Sequence, residues 1–245
     1  MPEGPSIIIL KEEVQEFTGN KVVAVSGNSK VDIARAEGKK VVAFKSWGKH
    51  FLICFNDFTI RIHLMLFGSY RINEQKASPP RLSLQFKDGE INFYACSVKI
   101  LDGDINSHYD WSADVMNDTW DAKAAKTKLA ATPDKMACDA LLEQDVFSGV
   151  GNIIKNEVLY RIYVHPEAKV GNLPPKKIDE LIEETRVYSF QFLEWKKKYE
   201  LKKHWLAHTK KICRRCDLSL IKKVTGVKKR RSFFCTNCQQ LYEQP

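Results

Sequence analysis

No run of apolar residues approaches the ~18 needed to cross a bilayer, and charged residues recur along the whole chain, so no membrane span is expected. The N-terminal segment lacks a basic stretch followed by an apolar one, so no export signal is expected either, which points to an intracellular protein. Glycine and proline are sparse, 12 and 9 in 245 residues, which excludes collagen-like and low-complexity chains. What is present is an ordinary globular composition, 44% hydrophobic and 28% charged, long enough for one or two domains with a buried core.

The net charge of +9 is unevenly placed. From Lys196 to Arg231 fifteen Lys and Arg face only Glu200 and Asp217, a local balance of +13 that leaves the rest of the chain at −4. Concentrated positive charge suits a polyanion partner, because each neutralised phosphate releases condensed counterions. A solvated basic face is the bland alternative, but here the basic run surrounds a cysteine motif.

Of the seven cysteines, Cys54, Cys96 and Cys138 stand alone in apolar surroundings and read as small buried hydrophobes. Cys213 and Cys216 form one C-x-x-C pair, and Cys235 and Cys238 form a second. Two such pairs can each clamp one side of a tetrahedral Zn²⁺, so one structural zinc ion is expected. A short tail has too little core to fold alone, and metal binding would supply the missing energy. Disulfides or a redox pair fit poorly with a chain that lacks an export signal.

The periodicity changes along the chain. An amphipathic helix is predicted over 5–17, then short strands over 40–45, 51–55, 59–64, 69–73, 82–86 and 91–94, separated by Gly, Asn-Asp and Pro-Pro turns. From Asp121 onward the spacing is helical, over 122–131, 136–144, 153–162 and 176–201. The predicted class is an α+β multidomain chain: a two-layer β-sandwich or flattened barrel, a helical region, and a zinc module. Gly149-Val150-Gly151-Asn152 precedes the third of these helices. Glycines let backbone amides approach a ligand, and a helix N-terminus offers N–H donors, so Asn152 suits either a helix cap or an anion contact.

The chain starts Met1-Pro2-Glu3-Gly4-Pro5. Removal of Met1, expected before so small a residue, would expose Pro2 as a secondary amine, and α-amino groups titrate at about 7.7–8.0. Such an amine condenses with an aldehyde to an iminium ion that has no nitrogen proton to lose. It is therefore an electron sink for elimination next to a sugar carbon. Glu3 stands beside it as a proton donor or acceptor.

Together the Pro2-Glu3-Gly4-Pro5 start, Gly48-Lys49, the Gly149–Glu157 stretch and the four-cysteine tail with its preceding arginine resemble the formamidopyrimidine-DNA glycosylase and endonuclease VIII family, closer to the endonuclease VIII branch. The match runs almost end to end. The resemblance implies an N-terminal catalytic β-sandwich (1–115), a helix–two-turn–helix domain (116–205) and a zinc finger with a β-hairpin (206–245), with damaged double-stranded DNA bound in the cleft between the halves.

The resemblance also implies roles. Pro2 would attack C1′ of the damaged nucleotide, assisted by Glu3. Lys49 would act near the phosphate in β-elimination, and Asn152 would hold a phosphate. Arg230 would bind phosphate and support δ-elimination, with Arg231 as the competing candidate. Met65, Leu66 and Phe67 align with the loop that fills the gap left by an extruded nucleotide, a role suited to apolar side chains because they replace stacking partners. Met65 replaces a polar wedge residue, Ser6 stands where many members have glutamate, and Asp110 falls where endonuclease VIII has an arginine.

The function implied is a bifunctional glycosylase and abasic-site lyase of base-excision repair, monomeric and cytoplasmic or nucleoid-associated. Oxidised pyrimidines are the expected substrates, because no glycine lies between Gly171 and Gly226, where the purine enzymes carry a Gly-containing loop. The alternatives are an oxidised-purine glycosylase of the same family and a non-catalytic zinc-ribbon binder of damaged DNA.

Overall fold

The computed structural model describes residues 2–243; Met1, whose removal is expected, lies outside them. The chain divides into two compact units, Met1–Asp110 and Trp111–Pro245.

The first unit opens with α1 (Gly4–Glu13), which has proline in its first turn, where the missing N–H costs nothing. The predicted helix is shorter than expected, because residues Gln15–Phe17 tighten into a 3₁₀ turn. Two antiparallel four-stranded sheets follow. One has the order β1 (Ala24–Ser26), β6 (Leu82–Phe86), β7 (Gly89–Tyr94), β5 (Ser69–Ile72). The other runs β2 (Ala43–Trp47), β3 (His50–Cys54), β4 (Phe58–His63), β8 (Ser97–Asp102). Their apolar faces meet in one core with Ile7 and Leu10 of α1, and the rings of Phe51 and Phe93 lie 5.8 Å apart across the layers. The expected sandwich is present, with β1 and β8 as additions. The predicted strand at 40–45 begins instead at Ala43, because Lys40 only bridges to Lys21.

The second unit is helical, with a terminal hairpin. Asp121 caps α2 (Ala122–Ala130), its carboxylate accepting from the N–H groups of Lys123 and Ala124 at 2.8 and 3.0 Å. The helix expected over 136–144 is reduced to α3 (Ala137–Ala140). Beyond it the chain turns, and Gln144 bonds the carbonyls of Leu142 and Val150 through its amide. Next come α4 (Asn152–Arg161) and the long α5 (Pro175–Lys197), which buries Leu181, Thr185, Tyr188 and Phe192 along one stripe. β9 (Ile221–Thr225) and β10 (Arg230–Phe234) close the unit as a hairpin packed on α4. Among the described residues no helix is long and apolar enough to cross a membrane.

Candidate active site and metal centre

Pro2 is half-buried and Glu3 fully buried at the head of α1. Glu3 occupies the N-cap position with extended backbone, yet its carboxylate makes no bond to the helix's own N–H groups. The helix that follows packs on β2 and β3. Those two strands are joined by the two-residue turn Gly48-Lys49, in which Gly48 adopts φ +52°, the left-handed conformation that the first position of a tight hairpin turn demands. The helix that follows the N-terminal pair and the turn that carries Lys49 thus share the same two strands.

Next to that turn lies a row of rings that sequence reasoning did not single out. Trp47, His50 and His63 are register partners across β2, β3 and β4. Trp47 and His50 centroids lie 5.6 Å apart, His50 and His63 5.4 Å, and Tyr109 covers Trp47 at 4.9 Å. The Tyr109 hydroxyl lies 3.2 Å from His50 Nδ1, and Trp47 donates to the Asp110 carbonyl at 2.9 Å. Asp110 thus serves the row through its backbone. Burial, reinforced by the charges of Arg61, His63, Lys49 and Lys99, pushes His50 down to about 3. His63 is lowered by burial and by Lys49 and Arg61. Both rings stay neutral near pH 7.

The row ends at the loop Met65-Leu66-Phe67. These side chains are exposed by 52, 51 and 83%, so they are not core residues, which is the commoner fate of such a run. Gly68 closes the loop: a Cβ there would sit 2.0 Å from the Leu64 carbonyl oxygen.

In the second unit the sulfurs of Cys213, Cys216, Cys235 and Cys238 all lie within 4.8 Å of one another. Cys213 and Cys238 are 3.7 Å apart, close to the ~3.8 Å edge of a tetrahedron with Zn–S bonds of about 2.3 Å. Burial raises the Cys213 thiol, but hydrogen bonds from the Tyr160 hydroxyl and the N–H groups of Arg215 and Cys216 outweigh it and lower it. The donor set fits a thiolate-bound metal. Arg215 fastens this knuckle to the end of α4, its guanidinium 3.8 Å from the rings of Tyr160 and Tyr163 and 2.7 Å from the Tyr160 carbonyl.

Helix α4 organises the rest. Gly151, not Asn152, is its N-cap, so the capping alternative for Asn152 is corrected: it is the first helical residue, and its Nδ2 donates to the Arg231 carbonyl at 3.0 Å. Asn152 Oδ1 is buried without a hydrogen-bond partner. Fully buried Lys155 donates to the same carbonyl at 3.1 Å and to Ser232 Oγ at 2.8 Å. Glu157 accepts from the N–H groups of Leu206, Ala207 and His208 at 2.8, 2.9 and 2.7 Å. Arg230 opens β10, half-buried and paired with Thr225, while Arg231 beside it is exposed.

Two family profiles match the sequence, the formamidopyrimidine-DNA glycosylase N-terminal domain over residues 1–97 and the H2TH domain of the same glycosylase over residues 112–189. The chain belongs to the formamidopyrimidine-DNA glycosylase and endonuclease VIII family. Among its relatives, mouse endonuclease 8-like 3 is 30% identical over 202 residues, 79% of this chain and 33% of that protein. The DNA-(apurinic or apyrimidinic site) lyase Nei2 of Mycolicibacterium smegmatis is 28% identical over 183 residues, 71% of each chain. The chain spans about a third of the length of the endonuclease 8-like 3 proteins it matches. A Lactococcus lactis formamidopyrimidine-DNA glycosylase in complex with DNA containing an oxidised pyrimidine superposes with TM-score 0.86 at 22% identity, covering 98% of this chain and all of that one.

Within this family fold the missed residues, Trp47, His50, His63 and Tyr109 in one unit and Lys155, Asn156 and Glu157 in the other, share one trait. They are polar or aromatic groups placed among strands and helices by partners distant in sequence. A signal did exist for the first set, since Trp47 and His50 flank the glycine turn symmetrically.

Proposed function

We propose that the chain is a bifunctional DNA glycosylase and abasic-site lyase of base-excision repair. The observation that carries this reading is the fully buried Glu3 immediately behind Pro2, on a helix packed against the two strands that Lys49 joins. A binding protein has no use for a carboxylate desolvated beside an N-terminal amine.

The chemistry follows from these groups. The Pro2 nitrogen attacks C1′ as the C1′–N glycosidic bond breaks, and the base leaves with a proton. Glu3 protonates O4′, the C1′–O4′ bond opens, and an iminium joins Pro2 to C1′. That cation acidifies C2′: loss of a C2′ proton and breakage of the C3′–O bond is β-elimination, with Lys49 beside the departing phosphate. Loss of a C4′ proton and breakage of the C5′–O bond is δ-elimination, with Arg230 on the second phosphate. Water then hydrolyses the iminium and returns the amine.

The damaged nucleotide must leave the stack, at a cost of a few kcal/mol, and the exposed Met65, Leu66 and Phe67 fill the space. Asn152 and the basic tail hold the backbone. The four cysteines hold one Zn²⁺, which when bound supplies folding energy to the tail. Labour is divided among 1–115 for base release and β-elimination, 116–205 for phosphate binding and 206–245 for the finger that carries Arg230. The protein works as a monomer inside the cell on damaged duplex DNA. Oxidised pyrimidines are its substrates, a reading supported by the glycine-free stretch between Gly171 and Gly226 and by relatives named endonuclease 8-like.

Borohydride trapping tests this reading on duplexes that each carry one oxidised pyrimidine, one oxidised purine or an abasic site. A reduced cross-link is expected with the pyrimidine and abasic duplexes. Cross-linking on the purine duplex alone would reassign the lesion class, and no cross-link on any duplex would leave only a DNA-binding role.

A further inference from the structure

The hairpin that presents Arg230 is held at its tip by a residue of another element. Asp139 of α3 is 4% exposed. Its Oδ2 accepts from the N–H of Val227 at 2.8 Å and its Oδ1 from the N–H of Lys228 at 3.1 Å. Those residues form the turn between β9 and β10. Gly226 adopts φ +70°, and a Cβ on it would sit 2.4 Å from both Asp139 oxygens, so the turn is moulded to the carboxylate. A second grip lies just past Arg230, where the Arg231 carbonyl accepts from Asn152 at 3.0 Å, Lys155 at 3.1 Å and Asn156 at 3.4 Å. Arg230 sits between the two.

The metal cannot replace the first grip. Cys235 follows the far end of β10, five residues from Arg230, or about 17 Å at ~3.3 Å per extended residue. A four-residue turn at the other end of a two-stranded ribbon needs its own anchor, because an isolated hairpin is marginally stable. A carboxylate receiving two successive N–H groups is a strong one, since hydrogen bonds to a charged group are roughly twice as strong as neutral ones.

We propose that Asp139 is a positioning residue for the second elimination. It fixes the hairpin turn so that Arg230 meets the phosphate that leaves C5′, while Asp139 itself touches no substrate. This rests on the lyase reading above. In the step it serves, a C4′ proton is lost, the C5′–O bond breaks and the phosphate departs with the bonding pair. Arg230 stabilises that departing charge and takes no part in bond exchange.

The test uses zinc-loaded full chain on a duplex carrying a pre-formed abasic site, following β- and δ-products by denaturing gel, with zinc content and duplex affinity measured alongside. For Asp139→Ala the δ step should slow by roughly tenfold or more, the scale of a lost charged hydrogen bond. The β step and the zinc content should stay within about threefold of wild type, a margin worth well under 1.4 kcal/mol, and duplex affinity should fall no further than in Arg230→Ala. Asp139→Asn keeps one acceptor and should fall between the two. It also carries the test alone if the alanine variant does not fold. A δ step at the wild-type rate in either folded variant overturns the role of Asp139 and leaves the function standing. A wild-type chain that cleaves nothing overturns the function and this role with it.

Discussion

His63 holds Met65 in a strained conformation. The Met65 N–H donates to His63 Nδ1 at 3.2 Å, the Met65 sulfur lies 2.8 Å from the same nitrogen, and Met65 has φ +52°. A left-handed backbone at a non-glycine residue costs on the order of 1 kcal/mol or more, and the His63 contact offsets it together with the Gly68 N–H bond to the Leu64 carbonyl at 2.7 Å. His63→Ala should let the loop relax and weaken its wedge. Excision from a lesion duplex is expected to fall more than cleavage of a pre-formed abasic site, and a 2-aminopurine beside the lesion should brighten less. Equal losses on both substrates would mean that the ring serves the chemistry instead.

The depressed histidines make a second prediction, in acid. Unfolded, both titrate near 6.5; folded, His50 lies near 3 and His63 is lowered as well. Below pH 6.5 the unfolded chain therefore binds protons that the native chain refuses, and stability drops as the pH falls through that window. Denaturant melts of wild type and His50→Gln between pH 7.5 and 5 isolate the effect from other groups. The wild type should lose stability more steeply. Parallel curves would show that the row is already protonated or solvated.

How far the sequence could be read depended on whether a signal was local. Alternating runs placed β3, β4, β6 and β7 closely, and the Gly48-Lys49 turn followed from glycine between two strands. β8 was missed although Ser97–Asp102 buries Val98 between half-buried Ser97 and exposed Lys99, because its polar residues, including Lys99 and Asp102, masked the run. The 136–144 helix failed because the chain after Ala140 tightens to i→i−3 bonds at Leu142 and Glu143, and Gln144 is committed to the Gly149 N–H and the Val150 carbonyl. The cysteine set was legible because C-x-x-C spacing encodes its own geometry. The Asp139 grip on Val227 and Lys228 spans 88 and 89 residues, and no pattern in either segment announces it.

Metal removal should reach beyond the tail. Lys155 is fully buried and its ammonium bonds to Arg231 and Ser232, while Glu157 is satisfied by the N–H groups of residues 206–208. Unfolding the finger strips a buried cation of these two hydrogen bonds, which is destabilising. Chelation is expected to abolish DNA binding and to raise amide exchange in α4 as well as in the hairpin, with the sandwich strands unchanged. Exchange confined to the finger would show that Lys155 and Glu157 find other partners.

The two neighbouring arginines should separate cleanly. Arg230 is half-buried and flanked by both hairpin grips, whereas the Arg231 side chain is exposed and its structural contribution is the backbone carbonyl. Arg230→Ala should impair δ-elimination and weaken binding, and Arg231→Ala should cost only the affinity of one phosphate contact. A larger δ defect in Arg231→Ala would reverse the assignment.

The most exposed prediction concerns the Pro2 nitrogen. Its reactivity requires a free secondary amine, since in a peptide bond the lone pair is delocalised into the carbonyl and is no longer nucleophilic. Pro2→Ala is a weak test, because the primary amine it creates still forms an imine. Extending the chain upstream of Pro2 is cleaner: it removes the nucleophile and leaves Glu3, Lys49 and the metal module in place. Such a protein, its N-terminus verified by mass spectrometry, should bind an abasic duplex yet give neither strand cleavage nor a borohydride adduct. In the processed protein the reduced adduct should map to the peptide beginning at Pro2. Full lyase activity from the extended chain would discard Pro2 and direct attention to Lys49, the amine on the turn between β2 and β3.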